Sequence, residues 1–332
     1  MTLANILMLA TALLFSKCQA PPVADTVEID GTQFLAQQIP LEGTAVAAGY
    51  FNKDRYPDLV GAGVPQLSIF LGDGDGGLVR TSRVAGGEHP VDYAVTDLDA
   101  DGDTDIVVAN HETDYVTLLL GDGRGTFHPA THSPLRIAVR PHPHAVHAAD
   151  LNADGHVDLV VDHREAEGML TLRGRSEGRF HSTGQVVNVG GDPYRGMALG
   201  DLNEDGQLDL VTPNPSKVGV FLNTSSDQIA FTDAASVPAA APFAVALGDL
   251  NGDDRLDLIA ASDEGSPLVE LFFGDGEGGF EEAPDSPVQF APGAKKIAIG
   301  DFNGDGTADA AVSSYDSSDV LVLLGDPESI RT

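Results

Sequence analysis

Tryptophan is absent from this 332-residue chain, and cysteine occurs once, at Cys18. A single cysteine cannot form a disulfide within the chain, so a fold held together by disulfides is excluded. Basic residues are few: 18 lysines and arginines against 51 aspartates and glutamates give a formal net charge of −33. So acidic a surface disfavours nucleic acid and anionic membranes as partners. Amphipathic helical periodicity is missing too, whereas glycine (38) and proline (20) are frequent, as in chains of short strands joined by turns.

The first 20 residues differ from the rest of the chain. Leu3 to Phe15 is an apolar run with the length of an export signal's hydrophobic region, and it is too short for a membrane span. We therefore interpret residues 1–20 as a signal peptide and residues 21–26 as a short linker. The protein is then extracytoplasmic: secreted, periplasmic or surface-exposed. Cys18 lies where a bacterial lipoprotein carries its lipidated cysteine, so a lipid anchor at Cys18 is the alternative to release.

A nine-residue segment rich in aspartate and asparagine occurs six times, with starts 47 to 53 residues apart. An alternating apolar segment precedes each copy, and two short apolar runs and a Gly/Asp turn follow it, which are hairpin signals. A period near 50 residues is typical of one four-stranded blade of a β-propeller. The six segments are Tyr50–Asp58, Asp97–Asp105, Asp150–Asp158, Asp201–Asp209, Asp249–Asp257 and Asp301–Asp309.

These repeats predict an all-β fold, a β-propeller of six four-stranded blades over residues 27–332, with seven blades as the alternative. The sixth repeat stops after its third strand, near Gly325, whereas Phe34–Leu41 has the pattern of an isolated fourth strand. We expect Phe34–Leu41 to pair with Val320–Leu324 and complete the last blade, which would leave no open sheet edge. A seventh blade would need more chain than residues 21–48 supply.

The pattern Asp-Leu-Asn-x-Asp-Gly-x-x-Asp-Leu, with the Leu-Leu-Leu-Gly-Asp-Gly-x-Gly-x-Phe turn after it, resembles the FG-GAP/VCBS repeat family. The calcium-binding blades of integrin α-subunit propellers belong to the same group. The resemblance covers roughly residues 27–326 and implies a propeller fold, bound calcium and a role in adhesion. The chain departs from integrins in its blade count, because integrin propellers have seven blades and bind calcium in only some of them.

The residue types in the segments also point to calcium, which takes about six to eight oxygen ligands. Side chains with oxygen atoms occupy positions 1, 3, 5 and 9, a backbone carbonyl near position 7 can add a ligand, and glycine at position 6 permits a sharp turn. Oxygen ligands without histidine or cysteine favour calcium over zinc or copper, and we predict about five sites. The predicted ligands are Asp97, Asp99, Asp101, Asp105, Asp150, Asn152, Asp154, Asp158, Asp201, Asn203, Asp205, Asp209, Asp249, Asn251, Asp253, Asp257, Asp301, Asn303, Asp305 and Asp309.

The six segments are not equivalent. The first has Tyr50 at position 1 and Arg55 at position 6, so we expect its oxygen-bearing residues to bind calcium weakly or not at all. The fifth has Asp254 instead of glycine at position 6, which a left-handed backbone tolerates at some cost. The weak candidates of the first segment are Asn52, Asp54 and Asp58.

We call the six Asp/Asn-rich segments the metal loops, and a partner is expected on the opposite face of the ring. That face carries the connections between strands 4 and 1 and between strands 2 and 3. Residues there vary from repeat to repeat, as expected where function rather than packing sets the side chain. Lys295, Lys296 and Tyr315 fall on this face. The candidate ligand-binding residues are Tyr93, His111, His142, His144, Tyr194, Arg195 and Phe243.

No nucleophile motif and no organic cofactor motif is evident, so we predict no catalytic residue. The leading hypothesis is a monomeric, non-enzymatic binding or adhesion module for an extracellular protein or glycan, with calcium in a structural role. One alternative is a calcium-stabilised secreted enzyme that acts on polysaccharide. Another is a lectin-like glycan binder that uses Tyr93, Tyr194 and Phe243 as stacking surfaces.

Overall fold

The computed structural model describes residues 25–29, 32–36, 45–63, 65–137, 143–163, 168–181, 185–190, 196–262, 266–317 and 319–326. Regular structure in these ranges is β-strand throughout, which confirms the predicted all-β class. Within them there is no helix of the length and apolarity that a membrane crossing requires. A hairpin of β1 (Asp25–Ile29) and β2 (Thr32–Ala36) precedes the repeats.

Six antiparallel sheets follow in chain order and stand in a ring, one blade for each repeat, so the propeller has six blades rather than seven. Blade 1 contains β3 (Val46–Gly49), β4 (Asp58–Gly61), β5 (Gln66–Gly72) and β6 (Leu78–Ala85). Blade 2 contains β7 (Pro90–Thr96), β8 (Asp105–Asn110), β9 (Tyr115–Gly121), β10 (Phe127–Pro129) and β11 (Leu135–Arg136). Blade 3 contains β12 (Val146–Ala149), β13 (Asp158–His163), β14 (Gly168–Leu172), the ribbon β15 (Gly174–Arg175) with β16 (Arg179–Phe180), and β17 (Gln185–Asn188).

The remaining three blades repeat this plan. Blade 4 contains β18 (Ala198–Gly200), β19 (Asp209–Asn214), β20 (Lys217–Asn223) and β21 (Phe231–Pro238). Blade 5 contains β22 (Pro242–Gly248), β23 (Asp257–Ser262), β24 (Leu268–Gly274), β25 (Phe280–Glu282) and β26 (Val288–Gln289). Blade 6 contains β27 (Ala294–Gly300), β28 (Asp309–Ser314) and β29 (Val320–Leu323). In every blade a metal loop joins the first strand to the second.

Burial changes across each blade in the way the sequence pattern predicts. The second strand is a run of small and β-branched apolar residues, and in β8, β19, β23 and β28 every residue is buried. Such continuous runs belong to strands that are covered on both faces. The outer strands β6 and β21 instead expose most of their middle residues to solvent.

The apolar core lies between neighbouring blades. From the first blade to the sixth, each adjacent pair shares one cluster of buried side chains. Phe51 of the first metal loop is 1% exposed and packs edge-on against Phe127 of blade 2, with ring centroids 5.2 Å apart. Full burial of such a side chain contributes about 1.5–3 kcal/mol to the free energy of unfolding. Because a single cysteine allows no disulfide within the chain, this packing between blades holds the ring together.

The predicted closing strand falls mostly on residues that the structure does not describe. Residues 32–36 pair with β1, whereas residues 37–41 lie outside the described ranges. The described part of blade 6 has the strand order β27-β28-β29. Completion of this blade by Phe34–Leu41 therefore stays a prediction.

Candidate metal loops and a central cavity

The second to sixth metal loops, which begin with aspartate and are called complete here, each have a backbone that this first residue organises. In the second loop, Oδ1 of Asp97 accepts a hydrogen bond from the N–H of Asp101 (3.2 Å), and Oδ2 accepts one from the N–H of Gly102 (2.9 Å). Both contacts bend the chain back toward position 1. The same pair of bonds forms at Asp150, Asp201, Asp249 and Asp301.

Two residues in each complete loop have a left-handed backbone. In the second loop these are Ala100 at position 4 (φ 62°) and Gly102 at position 6 (φ 83°). At position 6 of the fifth loop, Asp254 has φ 66°, the left-handed conformation that glycine has in the other complete loops. The sequence predicted that aspartate would tolerate this conformation. The left-handed residue at position 4 was not predicted, because alanine, glutamate and glycine all occur there and give no common signal.

The ninth residue ties the loop to the third strand of its blade. Asp105 is buried; its Oδ2 accepts the N–H of Leu98 (2.7 Å) and its Oδ1 accepts the N–H of Gly121 (2.8 Å). All six repeats share this pair of bonds, and Asp58 forms it in the first loop, where Tyr50 and Arg55 interrupt the metal pattern. The ninth aspartate thus has a structural role that does not depend on a metal. The others are Asp158, Asp209, Asp257 and Asp309.

The second loop has the donor set that best suits a cation. One carboxylate oxygen each from Asp97, Asp99 and Asp105 lies within 4.8 Å of the others. Oδ1 of Asp99 is buried and accepts no hydrogen bond. Burial and neighbouring carboxylates raise the pKa of Asp99, and burial raises the pKa of Asp105 to about 7. Clustered carboxylates with an unbonded buried oxygen fit a hard divalent ion such as calcium.

In the third to sixth loops, the side-chain amide of asparagine at position 3 donates a hydrogen bond to the aspartate at position 5. In the fourth loop, Nδ2 of Asn203 donates to Oδ2 of Asp205 at 3.2 Å, and the third, fifth and sixth loops have the same contact. The first loop also pairs Asn52 with Asp54, but the half-exposed Tyr50 supplies no carboxylate at position 1. This geometry supports the expectation that the first loop is the weakest.

Arg173 gives the third loop a cation of its own. Its Nε and Nη2 donate to Oδ2 of Asp154, at position 5, over 3.1 and 2.8 Å. Although burial opposes ionisation, these bonds hold the pKa of the Asp154 carboxyl below its ordinary value. The pairing was missed from the sequence because Arg173 lies 19 residues away, at a strand position that is apolar in the other blades. The equivalent residues are Leu71, Leu120, Leu222, Phe273 and Leu324.

A cavity of about 530 Å³ lies on the axis, surrounded by the inner strands of the blades. In most blades its lining comes from the beginnings of these strands, including Asp92 and His147, and Tyr315 just after β28 adds to it. In blades 4 and 5 the lining continues along β18 and β22 as far as Leu199 and Leu247. The metal loops follow the ends of the same strands, so most of the lining lies toward the other end of the ring.

Phe243, Lys295 and Tyr315 form the cavity mouth. The ammonium of Lys295 lies 5.0 Å from the centre of each aromatic ring, which is a cation–π contact on two sides. Nζ of Lys296, whose side chain is 61% exposed, lies 3.7 Å from Oδ1 of Asp92. Burial lowers the pKa of His147 on the same wall, so its imidazole is neutral at pH 7.

The structure places three of the predicted ligand-binding residues at or beside the cavity and buries a fourth in the core. Phe243 and His144 line the cavity, and the rings of His111 and His144 lie 4.6 Å apart. Tyr93 is 9% exposed and packs in the core between blades 1 and 2, so it is not available as a stacking surface. Its side chain points into the blade interface because Tyr93 alternates with cavity-lining Asp92 along β7. His142, Tyr194 and Arg195 lie outside the described residues.

Comparison with known proteins gives one family match. A family model described as "FG-GAP-like repeat" matches residues 97–161, 201–260 and 249–312, together more than half of the chain. No curated protein matches the chain.

Several solved structures share the fold. A lectin from Agrocybe aegerita that recognises non-reducing terminal N-acetylglucosamine is 17% identical, with a TM-score of 0.60 over 87% of this chain and 78% of the lectin. The periplasmic gluconolactonase of Pseudomonas aeruginosa is 16% identical, with a TM-score of 0.59 over 83% and 80% of the two chains. A functionally unknown protein from Desulfotomaculum acetoxidans is 15% identical, with a TM-score of 0.62 over 90% and 87%. At such identities the likeness is one of fold alone.

Proposed function

This chain belongs to the FG-GAP-like repeat family, and we propose that it is an extracytoplasmic, monomeric binding module whose metal loops hold calcium and whose central cavity holds the ligand. The observation that carries the proposal is the separation of two regions. The carboxylate loops follow the ends of the inner strands, whereas the polar and aromatic residues of the cavity, such as Asp92, His147 and Phe243, lie toward their beginnings. In this proposal calcium stabilises the ring and takes no part in ligand contact.

The second loop gives the calcium part its main support. Asp97, Asp99 and Asp105 converge there, and the buried Oδ1 of Asp99 has no hydrogen-bond donor. Lys53 of the first loop pairs with Asp103 at position 7 of this loop, so bound calcium would balance the charge of the three converging carboxylates themselves. Asp101, at position 5, would complete the set of side-chain ligands. In the other complete loops, the aspartates at positions 1 and 5 and the asparagine at position 3 would hold the ion in the corresponding way.

The cavity supports ligand binding at the opposite end. Its volume of about 530 Å³ falls within the range of about 300–1,000 Å³ that ligand pockets occupy. Apolar walls with a few polar groups, here Asp92, His147 and Lys296, are the usual composition of such pockets. Two proteins of similar fold, a lectin and a gluconolactonase, have carbohydrate-related roles, which makes a glycan one candidate ligand. That analogy is one of fold, and the cavity carries the argument.

A binding screen tests this proposal. Calcium-loaded protein is applied to glycan and extracellular-protein arrays, alongside the variant Phe243→Ala, which removes one ring of the cavity mouth. Val79→Ala is the matched control, because Val79 is 60% exposed on the outer strand β6. We expect ligand signals that Phe243→Ala abolishes and Val79→Ala retains. If every signal survives Phe243→Ala, the cavity is not the binding site.

A second candidate function is catalysis on a carbohydrate, and the cavity wall favours it. Asp92 and Lys296 lie 3.7 Å apart, and the neutral His147 could accept a proton beside them. Mass spectrometry of any cavity ligand after prolonged incubation distinguishes the two functions. An enzyme releases product, and His147→Asn abolishes the release while binding persists. A binding module returns the ligand intact.

A further inference from the structure

We propose that the central cavity recognises a sugar residue bearing a carboxylate, with Lys295 and Lys296 contacting the carboxylate and the Tyr315 ring packing on the sugar. This inference rests on the proposed function, because it names the ligand chemistry of the same cavity. Four features of the described residues carry it: the charge of the lining, the geometry of the inner strands, the aromatic mouth and the polar groups of the wall.

The charge of the lining differs in sign from that of the whole chain. The chain has a formal net charge of −33 and only 18 basic residues. Among the described lining residues, however, Lys295 and Lys296 face one carboxylate, that of Asp92. Lys296 is paired with Asp92 at 3.7 Å, and the nearby Asp162 carboxylate is fully buried behind His144, so the Lys295 ammonium between its two rings is the group placed to meet an anion. A carboxylate is therefore favoured there although the protein is acidic overall.

Three inner strands are bulged at the same place. The strand register shifts between Pro90 and Asp92, between Pro242 and Ala244, and between Ala294 and Lys296. The extra residues are Val91, Phe243 and Lys295, and all three line the cavity. Bulges change the direction of a side chain and are common next to binding sites. Here they direct one aliphatic, one aromatic and one cationic side chain to the axis.

The aromatic rings hold the Lys295 ammonium at the mouth. Phe243 and Tyr315 each have a ring centre 5.0 Å from its Nζ, which limits the range of positions that this long side chain samples. Tyr315 is 59% exposed and is one of few large apolar side chains in the described residues with so much surface in solvent. One face of a pyranose ring carries mainly C–H groups, and an exposed aromatic ring is a suitable surface for them.

The wall supplies groups for the hydroxyls of a sugar. Asp92, His147 and Ser313 all line the cavity. Oδ2 of Asp92 already accepts the N–H of Val146 at 3.0 Å, which fixes the orientation of its carboxylate. A few such groups, placed on an otherwise apolar wall, determine the orientation of a ligand. The cavity thus combines a site for an anion, a surface for a ring and acceptors for hydroxyls.

Calorimetric titration of the calcium-loaded protein tests the inference. The probes are digalacturonate, a glucuronate-terminated disaccharide and sialyllactose, each compared with its own methyl ester, which keeps the sugar and removes the charge. We expect at least one free acid to bind and its ester to bind at least about tenfold more weakly, since hydrogen bonds to charged groups are the stronger ones.

Variants of the mouth separate the contributions. Lys295→Gln should weaken the acid at least about tenfold and leave the ester unchanged, because it removes only the charge. Arg80→Gln, on the exposed outer strand β6, removes the same charge elsewhere and should have no effect. Tyr315→Ala should weaken both the acid and the ester, because it removes the surface for the sugar ring, whereas Tyr315→Phe should retain binding of both.

The outcomes distinguish this inference from the proposed function. If acid and ester bind equally, or if Lys295→Gln binds the acid as tightly as the wild type, recognition of a carboxylate is wrong, while a cavity that binds sugars is retained. If no probe binds but the array screen gives a ligand that Phe243→Ala abolishes, the carboxylated-sugar inference is wrong and the proposed function stands. If no ligand depends on Phe243, both are wrong.

Discussion

The second and third metal loops have nearly the same sequence and nearly the same backbone, yet their charges are balanced differently. In both, the first aspartate accepts the N–H groups of positions 5 and 6, and the ninth aspartate is buried and bonded to two N–H groups. In the second loop, Asp99 adds a carboxylate whose Oδ1 has no donor, and Lys53 pairs with Asp103 at position 7, which is not a predicted ligand. In the third loop, Asn152 replaces that carboxylate and Arg173 bonds Asp154.

The difference separates two roles within one nine-residue motif. Positions 1, 4, 6 and 9 fix the backbone, and they do so alike in both loops. The need for a bound cation depends on position 3 and on a residue from a neighbouring strand, so two loops that match the same pattern should differ in calcium affinity.

Removal of the ninth aspartate should have the largest effect, and in EDTA, where only its two hydrogen bonds count, the effect should be similar in the two loops. Asp105→Ala and Asp158→Ala each leave two N–H groups without their acceptor, at a cost of about 2–6 kcal/mol in the free energy of unfolding. Asp58→Ala in the first loop should cost a similar amount. Urea unfolding in calcium and in EDTA measures this. If the loss at Asp58 is negligible, the ninth aspartate acts through a metal and not through its two hydrogen bonds.

Calcium itself should have the next largest effect, and it should act through the second loop more than through the first. An ion at one hundred times its dissociation constant stabilises the folded state by about 2.7 kcal/mol per site, with constants of about 10⁻⁴–10⁻³ M typical of extracellular modules. Asp101→Ala should remove that contribution for its loop, whereas Asp54→Ala should change the calcium dependence little. Thermal unfolding with and without EDTA measures both. A wild-type melting temperature that chelation leaves unchanged would contradict structural calcium.

Arg173 and Leu120 occupy the same position in blades 3 and 2, just before the turn that follows the third strand. Exchange of arginine and leucine between these positions should exchange the calcium affinities of the third and second loops. Arg173→Leu removes the third loop's own cation, so it should tighten calcium at that loop about tenfold and destabilise the calcium-free protein by about 1–2 kcal/mol. Leu120→Arg should have the opposite effect on calcium at the second loop. Calcium titration by calorimetry measures the affinities. Leu222→Met, a volume-conserving change at the same position of blade 4, is the control and should leave calcium binding unaltered.

Most of the fold could be predicted from the sequence because the repeat recurs six times. Each copy carries the same order of strands and turns, so six blades followed from the spacing, and the structure confirms six sheets in a ring. The second role of the ninth aspartate was not predictable. A carboxylate oxygen that binds calcium and one that accepts N–H groups have the same sequence signal, and only the burial of Asp58 in a loop without Asp at position 1 separates them.

The cavity was harder to predict than the metal loops for a physical reason. Its lining residues come from different blades. In three inner strands a one-residue β-bulge also changes whether a side chain points to the cavity or to the blade interface. Tyr93 and Asp92 are neighbours in the sequence, but Asp92 lines the cavity and Tyr93 is buried between blades. Pairings across blades, such as Asp92 with Lys296, leave no local pattern. The sequence therefore could not show that Tyr93 is buried, and the ligand face itself stays a prediction.

The smallest effect concerns position 4, where the two loops should again behave alike. Ala100 and Ala153 have φ values of 62° and 56°, a conformation that costs a non-glycine residue about 1–2 kcal/mol. Glycine removes this strain but increases the entropy of the unfolded chain by up to about 1 kcal/mol, so Ala100→Gly and Ala153→Gly should each stabilise the fold by about 0.5–1 kcal/mol. Neither change touches a predicted ligand, so the gain should be the same in calcium and in EDTA. Parallel urea unfolding of both variants measures it. A gain confined to Ala100→Gly in calcium would mean that the second loop reorganises around its ion, and the two loops would then differ in backbone as well as in charge.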